Sequence, residues 1–223
     1  MVHGHASNKN GKSIFAIAEE LTKRKINTLR IDVDGCGESE GKFEDQTISS
    51  GADDILSAIN FVKEKGYSTI NLFGSSCGGL MVMAAALQEP EIKKIGLKAP
   101  VSDYPAQWLR KYGQKTIDGW KEKGYRDYKS GKGEILKINY SFIEDCKKYV
   151  MVEHAHKIKV PVLIIHGTVD DKVNIEDSRK LVISFPNGKL IELEGADHGL
   201  DINGDRTKSL KIFGDWFEDR LMF

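Results

Sequence analysis

"STINLFGSSCGGLMVMAAALQ", residues 68–88, decides how the rest of the chain is read. Its first six residues, Ser68–Phe73, suit a strand, and Leu80–Gln88 is rich in strong helix formers. Between them lies Gly74-Ser75-Ser76-Cys77-Gly78-Gly79, a turn built from small residues. The stretch therefore predicts a strand, a tight turn and a helix. Gly74-Ser75-Ser76-Cys77-Gly78 fits Gly-X-Ser-X-Gly with Ser76 at the centre. In that setting the turn pushes the central side chain up and out, often with strained dihedrals. The N-terminus of the following helix then favours negative charge developing nearby. A centre at Ser75 would need glycine where Phe73 stands, and a centre at Cys77 would need glycine where Ser75 stands.

Outward from this turn, strands and helices alternate. Ile14, Phe15, Ile17, Ala18 and Leu21 recur at helical spacing, and "NTLRIDV", 27–33, reads as a short strand. "DGCGESEGKFEDQT", 34–47, is a glycine-rich loop, and Ser50 with Asp53 resembles a capping box. The helix it opens carries Ala52, Ile55, Leu56, Ile59 and Val62 on one face. "KIGLKA", 94–99, and "VPVLIIHG", 160–167, are further strands. A helix near 174–183, a strand in "KLIELEG" and a closing helix with Leu210, Phe213 and Phe217 end the chain. This alternation implies parallel strands joined by right-handed crossovers, covered by helices on both faces. The expectation is a doubly wound, mostly parallel α/β sheet, with its site outside the C-terminal strand ends.

The segment 102–150 interrupts the alternation. It holds no clear strand, yet it carries six of the 7 tyrosines and two of the 3 tryptophans. The expected division is a core of 1–101 and 156–223, with 102–155 inserted as a helical lid. Tyr104, Trp108 and Tyr112 are its candidate pocket-lining residues, although burial within a small helical subdomain would account for most of these aromatics.

Lys plus Arg and Asp plus Glu both number 33, so the formal net charge is zero, which excludes a strongly basic nucleic-acid surface. Three cysteines, Cys36, Cys77 and Cys146, do not build a disulfide framework, which fits a reducing, cytoplasmic setting. "MVHGHASNKN", 1–10, shows no secretory h-region, and no stretch suits a membrane span. Neither a nucleic acid nor a membrane is an expected partner. The sequence leaves the oligomeric state open, a homodimer included.

A serine hydroxyl needs a base to become a nucleophile. His198, in "GADHGL" after the last strand, falls where such a base belongs. The base needs a carboxylate to hold its tautomer, and Asp170 or Asp171, in "HGTVDDKV" after the strand 160–165, meets that need. The order Ser, Asp, His, each after its own strand, is that of the α/β-hydrolases.

With these residues assembled, the chain resembles an α/β-hydrolase of the serine-esterase type, and more narrowly the bacterial cinnamoyl (feruloyl) esterases and their lid-bearing relatives. The resemblance covers nearly everything outside the 102–150 insertion. "HGHASNKN" resembles that family's oxyanion loop. "RIDVDGCGESEGKFEDQT" is similar to its Arg-x-Asp-x-x-Gly-x-Gly-x-Ser-x-Gly-Lys-Phe stretch. "HGTVDDKV" and "EGADH" look like its acid and histidine loops. The match implies Asp170 rather than Asp171 as the acid, and an oxyanion hole from the backbone N–H groups of His5 and Cys77. His5 stands where those esterases usually carry an apolar or aromatic residue. The relatives carry about three strands at or before the His-Gly loop, so strands are expected to be missing or stunted here, where only Met1 and Val2 precede it. The activity implied is hydrolysis of a small-molecule carboxylic ester of small to medium acyl or aryl acids through an acyl-enzyme, with no metal or organic cofactor.

Rival readings are specific. "ASNKNGKS", 6–13, nearly matches a phosphate-binding loop but has Ala6 where the first glycine belongs. Cys77 as the nucleophile gives a dienelactone-type hydrolase, and an amine leaving group gives a peptidase. A non-catalytic binding relative is a further reading. His154 and His156 in "EHAH" lack a third metal ligand in sequence.

Overall fold

In a computed structural model, residues 1–131, 133–201 and 204–221 are described. Helix α1 spans Lys12–Lys23 and α2 spans Ile48–Glu64. Strand β1, Asn71–Ser75, leads through Ser76 into α3, Cys77–Ala86, and β2 is Lys94–Lys98. The segment after β2 contains α4, Tyr104–Tyr112, and α5, Gln114–Lys123. Strands β3, Tyr125–Lys129, and β4, Ile135–Asn139, follow, then α6, Ser141–Cys146, and α7, Met151–His154. The chain returns to the sheet with β5, Val162–Gly167, then α8, Ile175–Ser184, β6, Gly188–Leu193, and α9, Asp205–Phe217.

The main sheet is parallel, in the order β1-β2-β5-β6. Alternate side chains serve opposite faces, as the two-residue period of a strand requires. On one face Leu72, Ile95, Leu97, Val162 and Ile164 pack against Ile55 and Ile59 of α2, Leu80 of α3 and Leu181 of α8. On the other, Phe73, Leu163, Ile165 and Leu193 pack against Ile14, Ile17 and Leu21 of α1 and Phe213, Trp216 and Phe217 of α9. Every residue of β5 is buried, as expected for a strand covered on both faces. The expected doubly wound sheet is therefore present.

Three local expectations are corrected. Residues 27–33 form no extended strand: Ile31 makes one bridge to Val2, which in turn bridges Gly74. Ile31 N–H donates to Met1 O at 3.3 Å, Val2 N–H donates to Phe73 O at 2.9 Å, and Val2 O accepts Ser75 N–H at 3.1 Å. Helix α2 begins at Ile48, with its capping box formed by Thr47 and Ser50 rather than Ser50 and Asp53. The inserted segment also contains an antiparallel hairpin, with Tyr125 opposite Asn139 and Lys129 opposite Ile135. Its strands are short and charged, "YRDYK" and "ILKIN", and most of their residues remain at least partly exposed, so no clean apolar alternation announces them.

The insertion is not a separate core. Trp108, Trp120 and Phe142 join the same hydrophobic cluster as the sheet's α2 face. Trp108 lies 4.9 Å from Trp120 and 5.7 Å from Phe142 between ring centroids. The indole N–H of Trp120 donates to Ile138 O at 2.9 Å, tying α5 to the hairpin.

Candidate active site

Ser76 occupies the one-residue turn between β1 and α3 at φ 55° and ψ −119°. This is a left-handed conformation that non-glycine residues rarely adopt, and the surrounding bonds hold it there. Its N–H donates to Lys98 O at 2.9 Å, and its carbonyl accepts from Gly79 at 3.0 Å and Val101 at 3.1 Å. The flanking glycines permit this crowding. A Cβ on Gly74 would press on the Gly78 carbonyl, and one on Gly78 would press on the main chain of Val2 and His3.

Asp170 sits in the loop after β5, where its Oδ1 accepts the N–H groups of Lys172 at 2.8 Å and Val173 at 2.9 Å. These bonds fix the turn as an Asx-type cap. Its Oδ2 lies 2.6 Å from His198 Nδ1 and 3.0 Å from His166 Nε2. Burial alone would raise this carboxyl's pKa, but hydrogen bonds with His166 and His198 outweigh it and hold it well below the usual carboxylate range. Asp171 instead points to solvent and pairs with Lys172 at 2.7 Å. The loops bearing Asp170 and His198 are stitched together by Thr168 N–H on Leu193 O, 3.0 Å, Val169 N–H on Ala196 O, 3.1 Å, and Gly195 N–H on Thr168 Oγ1, 2.8 Å.

Two supporting residues were not singled out from sequence. His166, fully buried, reaches Ser178 Oγ at 2.7 Å and Val173 O at 3.1 Å while facing Asp170. Its only signal was its place at the head of "HGTVDDKV". Lys98, at the C-terminal end of β2, reads in sequence as an ordinary polar strand end, yet it is buried and its Nζ donates to His198 O at 2.6 Å. Burial lowers the Lys98 ammonium to about 8, against the favourable fields of Asp170 and Asp197.

The loop carrying His5 is anchored from below. His3 Nδ1 donates to Gly4 O at 2.8 Å and its Nε2 accepts Val33 N–H at 3.3 Å. Lys9 Nζ pairs with buried Asp32 at 2.8 Å and also with Glu38, which occupies a lysine of the near phosphate-loop match. Lys12 of the same match pairs with Asp201 at 3.2 Å. Among the described residues, neither the His5 nor the Cys77 amide donates to a loop or cap carbonyl. The His5 ring packs as an aromatic would, 5.0 Å from Phe43, 4.9 Å from Tyr128 and 5.2 Å from Phe142. Burial pushes its imidazole down to about 3, so the ring is neutral.

Ser76, His198 and the His5 loop line one cavity of about 740 Å³, which Tyr104, Trp108 and Tyr112 of α4 also line. Among the described residues no hydrogen bond joins Ser76 Oγ to His198; the two side chains line the same cavity. A second, apolar cavity of about 510 Å³ lies around Met1, Leu21, Ile59 and Phe217 and shares no lining residue with the first.

The bovine palmitoyl-protein thioesterase ABHD10, a mitochondrial protein, is 30% identical over 179 residues, covering 77% of this chain. The chain spans 56% of the length of that relative. The structure of mouse alpha/beta hydrolase domain-containing protein 10 superposes with a TM-score of 0.85 at 23% identity, covering 99% of this chain and 89% of that one. Est1E from Butyrivibrio proteoclasticus, in a structure with ferulic acid bound, superposes with a TM-score of 0.82 at 25% identity, covering 98% of this chain and 86% of that one. The doubly wound sheet is thus the α/β-hydrolase fold. Residues 13–222 match the model of the prolyl oligopeptidase family, and the chain belongs to that family.

Proposed function

We propose that this chain is a serine hydrolase that cleaves carboxylic esters of small to medium acyl or aryl acids through an acyl-enzyme. The observation that carries the reading is the buried Asp170 carboxylate held between His166 and His198, on the same side of the sheet as a strained Ser76. In this reading His198 takes the Ser76 proton, and Ser76 Oγ attacks the ester carbonyl. The N–H groups of His5 and Cys77 receive the oxyanion, a contribution of several kcal/mol in comparable sites. His198 protonates the leaving alcohol, then activates the water that releases the acid. Asp170 stays ionised throughout and orients the imidazole.

Support also comes from two relatives: one is named a palmitoyl-protein thioesterase, and the other, Est1E, is solved with ferulic acid bound. The segment 102–155 acts as the lid, with Trp108, Tyr104 and Tyr112 against the substrate. Cys77 is a poor alternative nucleophile, because burial pushes its thiol up to about 12. Three buried free thiols, Cys36, Cys77 and Cys146, suit a reducing compartment. Among the described residues, no helix is long and apolar enough to cross a membrane. The family name keeps an amide substrate in view as the second reading.

The test is hydrolysis of p-nitrophenyl esters from acetyl to dodecanoyl, of methyl ferulate and of aminoacyl p-nitroanilides, by wild type and Ser76→Ala. Ester turnover abolished in Ser76→Ala is the expected result. Turnover that survives the substitution removes Ser76 as the nucleophile. Faster anilide than ester cleavage selects the peptidase reading, and activity confined to acetyl esters removes the aromatic lid as an acyl pocket.

A further inference from the structure

The lid contributes an arginine to the cavity that the ester chemistry does not use. Arg126, on β3, lines the same cavity as Ser76 and His198. Its guanidinium carbon lies 4.0 Å from the ring centroid of Tyr112, 5.4 Å from that of Trp108 and 5.6 Å from that of Trp120. Aromatic faces attract a cation, but they offer no lone pair to its N–H groups. Nη1 of Arg126 is buried without an acceptor. Among the described residues the guanidinium meets no carboxylate, although ion pairs are plentiful elsewhere on the chain. A half-buried guanidinium left without an anion is unfavourable.

Other cations also line the cavity: Lys12 and Lys172 are paired with Asp201 and Asp171, and Lys98 Nζ is held on His198 O, whereas Lys111 and Lys129 form no ion pair among the described residues. Among the described residues that line it, Asp127 is the one carboxylate. Asp127 is exposed, and it forms no ion pair with Arg126. Low-dielectric walls strengthen the field that Arg126 exerts on a bound ligand.

Resting on the serine-hydrolase reading, we propose that the cavity takes an ester that itself carries a carboxylate, and that Arg126 in its aromatic cage is the residue that binds it. The planar fork of a guanidinium suits a carboxylate bidentately, and Trp108, Tyr112 and Trp120 fix the plane of the fork. The reaction is unchanged: the ester bond breaks at the carbonyl, the alcohol leaves with the proton from His198, and the second carboxylate takes no covalent part. Arg126 therefore sets which ester is cleaved.

The experiment compares esters that differ by one charge. At pH 7, mono-4-nitrophenyl glutarate is measured against 4-nitrophenyl valerate, and 4-acetoxybenzoate against its methyl ester. These pairs place the acid on the acyl and the alcohol side respectively. In at least one pair the charged ester is expected to have a kcat/KM about tenfold or more higher, the advantage of a charge-assisted bidentate contact. Arg126→Met removes that ratio and Arg126→Lys keeps part of it. The ratio is taken within one protein sample, so a variant that folds less well leaves it unchanged. Binding is followed in parallel without turnover, in Ser76→Ala, by tryptophan fluorescence on titration with monomethyl glutarate and with dimethyl glutarate. Tighter binding of the acid, lost in Ser76→Ala/Arg126→Met, supports the site even if Ser76 proves not to be the nucleophile. Ratios within about threefold of unity in both pairs, with equal binding of the two glutarates, overturn the proposal while leaving the hydrolase reading intact. A charge preference that persists in Arg126→Met likewise overturns the role of Arg126.

Discussion

Lys98 Nζ donates a 2.6 Å hydrogen bond to the main-chain carbonyl of His198, while the carbonyl of Lys98 accepts the Ser76 N–H at 2.9 Å. One residue at the end of β2 therefore braces both loops that the proposed reaction must bring together. Lys98→Met is expected to lower kcat by about ten- to hundredfold with a smaller effect on KM, because small displacements of reacting groups are expensive. Steady-state kinetics on one ester checks this, and an unchanged kcat would remove the bracing role. The same variant has a pH signature. Burial lowers the Lys98 ammonium from 10.5 to about 8, so between these values the unfolded chain binds the proton and the folded chain does not. Stability gains from this group as pH rises through that window. Denaturant midpoints from pH 7.5 to 10.5 should show that rise in wild type relative to Lys98→Met.

Asp170→Asn keeps the shape of the acid and removes its charge. The expected loss is about 10³- to 10⁴-fold in kcat, through misorientation of His198 and loss of imidazolium stabilisation. Because the folded carboxyl is held below its ordinary value of 3.8, its stabilisation is complete above that pH and is lost as pH falls below it. Acid unfolding curves below pH 4 should therefore be shallower in Asp170→Asn than in wild type. His166→Asn, which removes the second imidazole facing Asp170, should lower kcat less, by about tenfold, through looser positioning of the carboxylate.

Cys77 offers only its backbone to the proposed oxyanion site. Cys77→Ala is expected to keep kcat/KM within about fivefold, and iodoacetamide at pH 7.5 should leave wild-type activity intact, since a buried thiol pushed up to about 12 holds its proton. Mass spectrometry of the treated protein reports the modification directly. Rapid alkylation of Cys77 with loss of turnover would contradict the assignment of Ser76.

His5 carries two ring nitrogens that are buried without partners. Among Phe43, Tyr128 and Phe142 a phenyl ring fills the same space without stranded polar atoms. His5→Phe is therefore expected to stabilise the fold by about 1 kcal/mol while retaining turnover, because the backbone N–H remains. Thermal unfolding and ester kinetics on the same sample check both halves. A large loss of kcat would show that the imidazole itself takes part.

The sequence by itself determined the alternation of strands and helices, the turn at Ser76 and the order Ser, Asp, His. These rest on short-range physics. Apolar period and glycine at a crowded turn are written within a few residues of each other. The residues alone left Asp170 and Asp171 both open, the resemblance to the esterases implied Asp170, and the structure turns Asp170 inward and Asp171 to solvent. Other features rested on residues far apart in the chain, and only the tertiary structure decided them. His166 gained its place facing Asp170 because β5 is buried on both faces and leaves its imidazole no solvent. Lys98 became a brace because β2 ends beside the His198 loop, 100 residues further along the chain. The β3–β4 hairpin was hidden because its charged strands satisfy their backbones with each other and only partly bury their side chains. Arg126 reads in sequence as one more surface cation. Folding surrounds it with Trp108, Tyr112 and Trp120 and, among the described residues, brings it no carboxylate, which no local pattern of residues could announce.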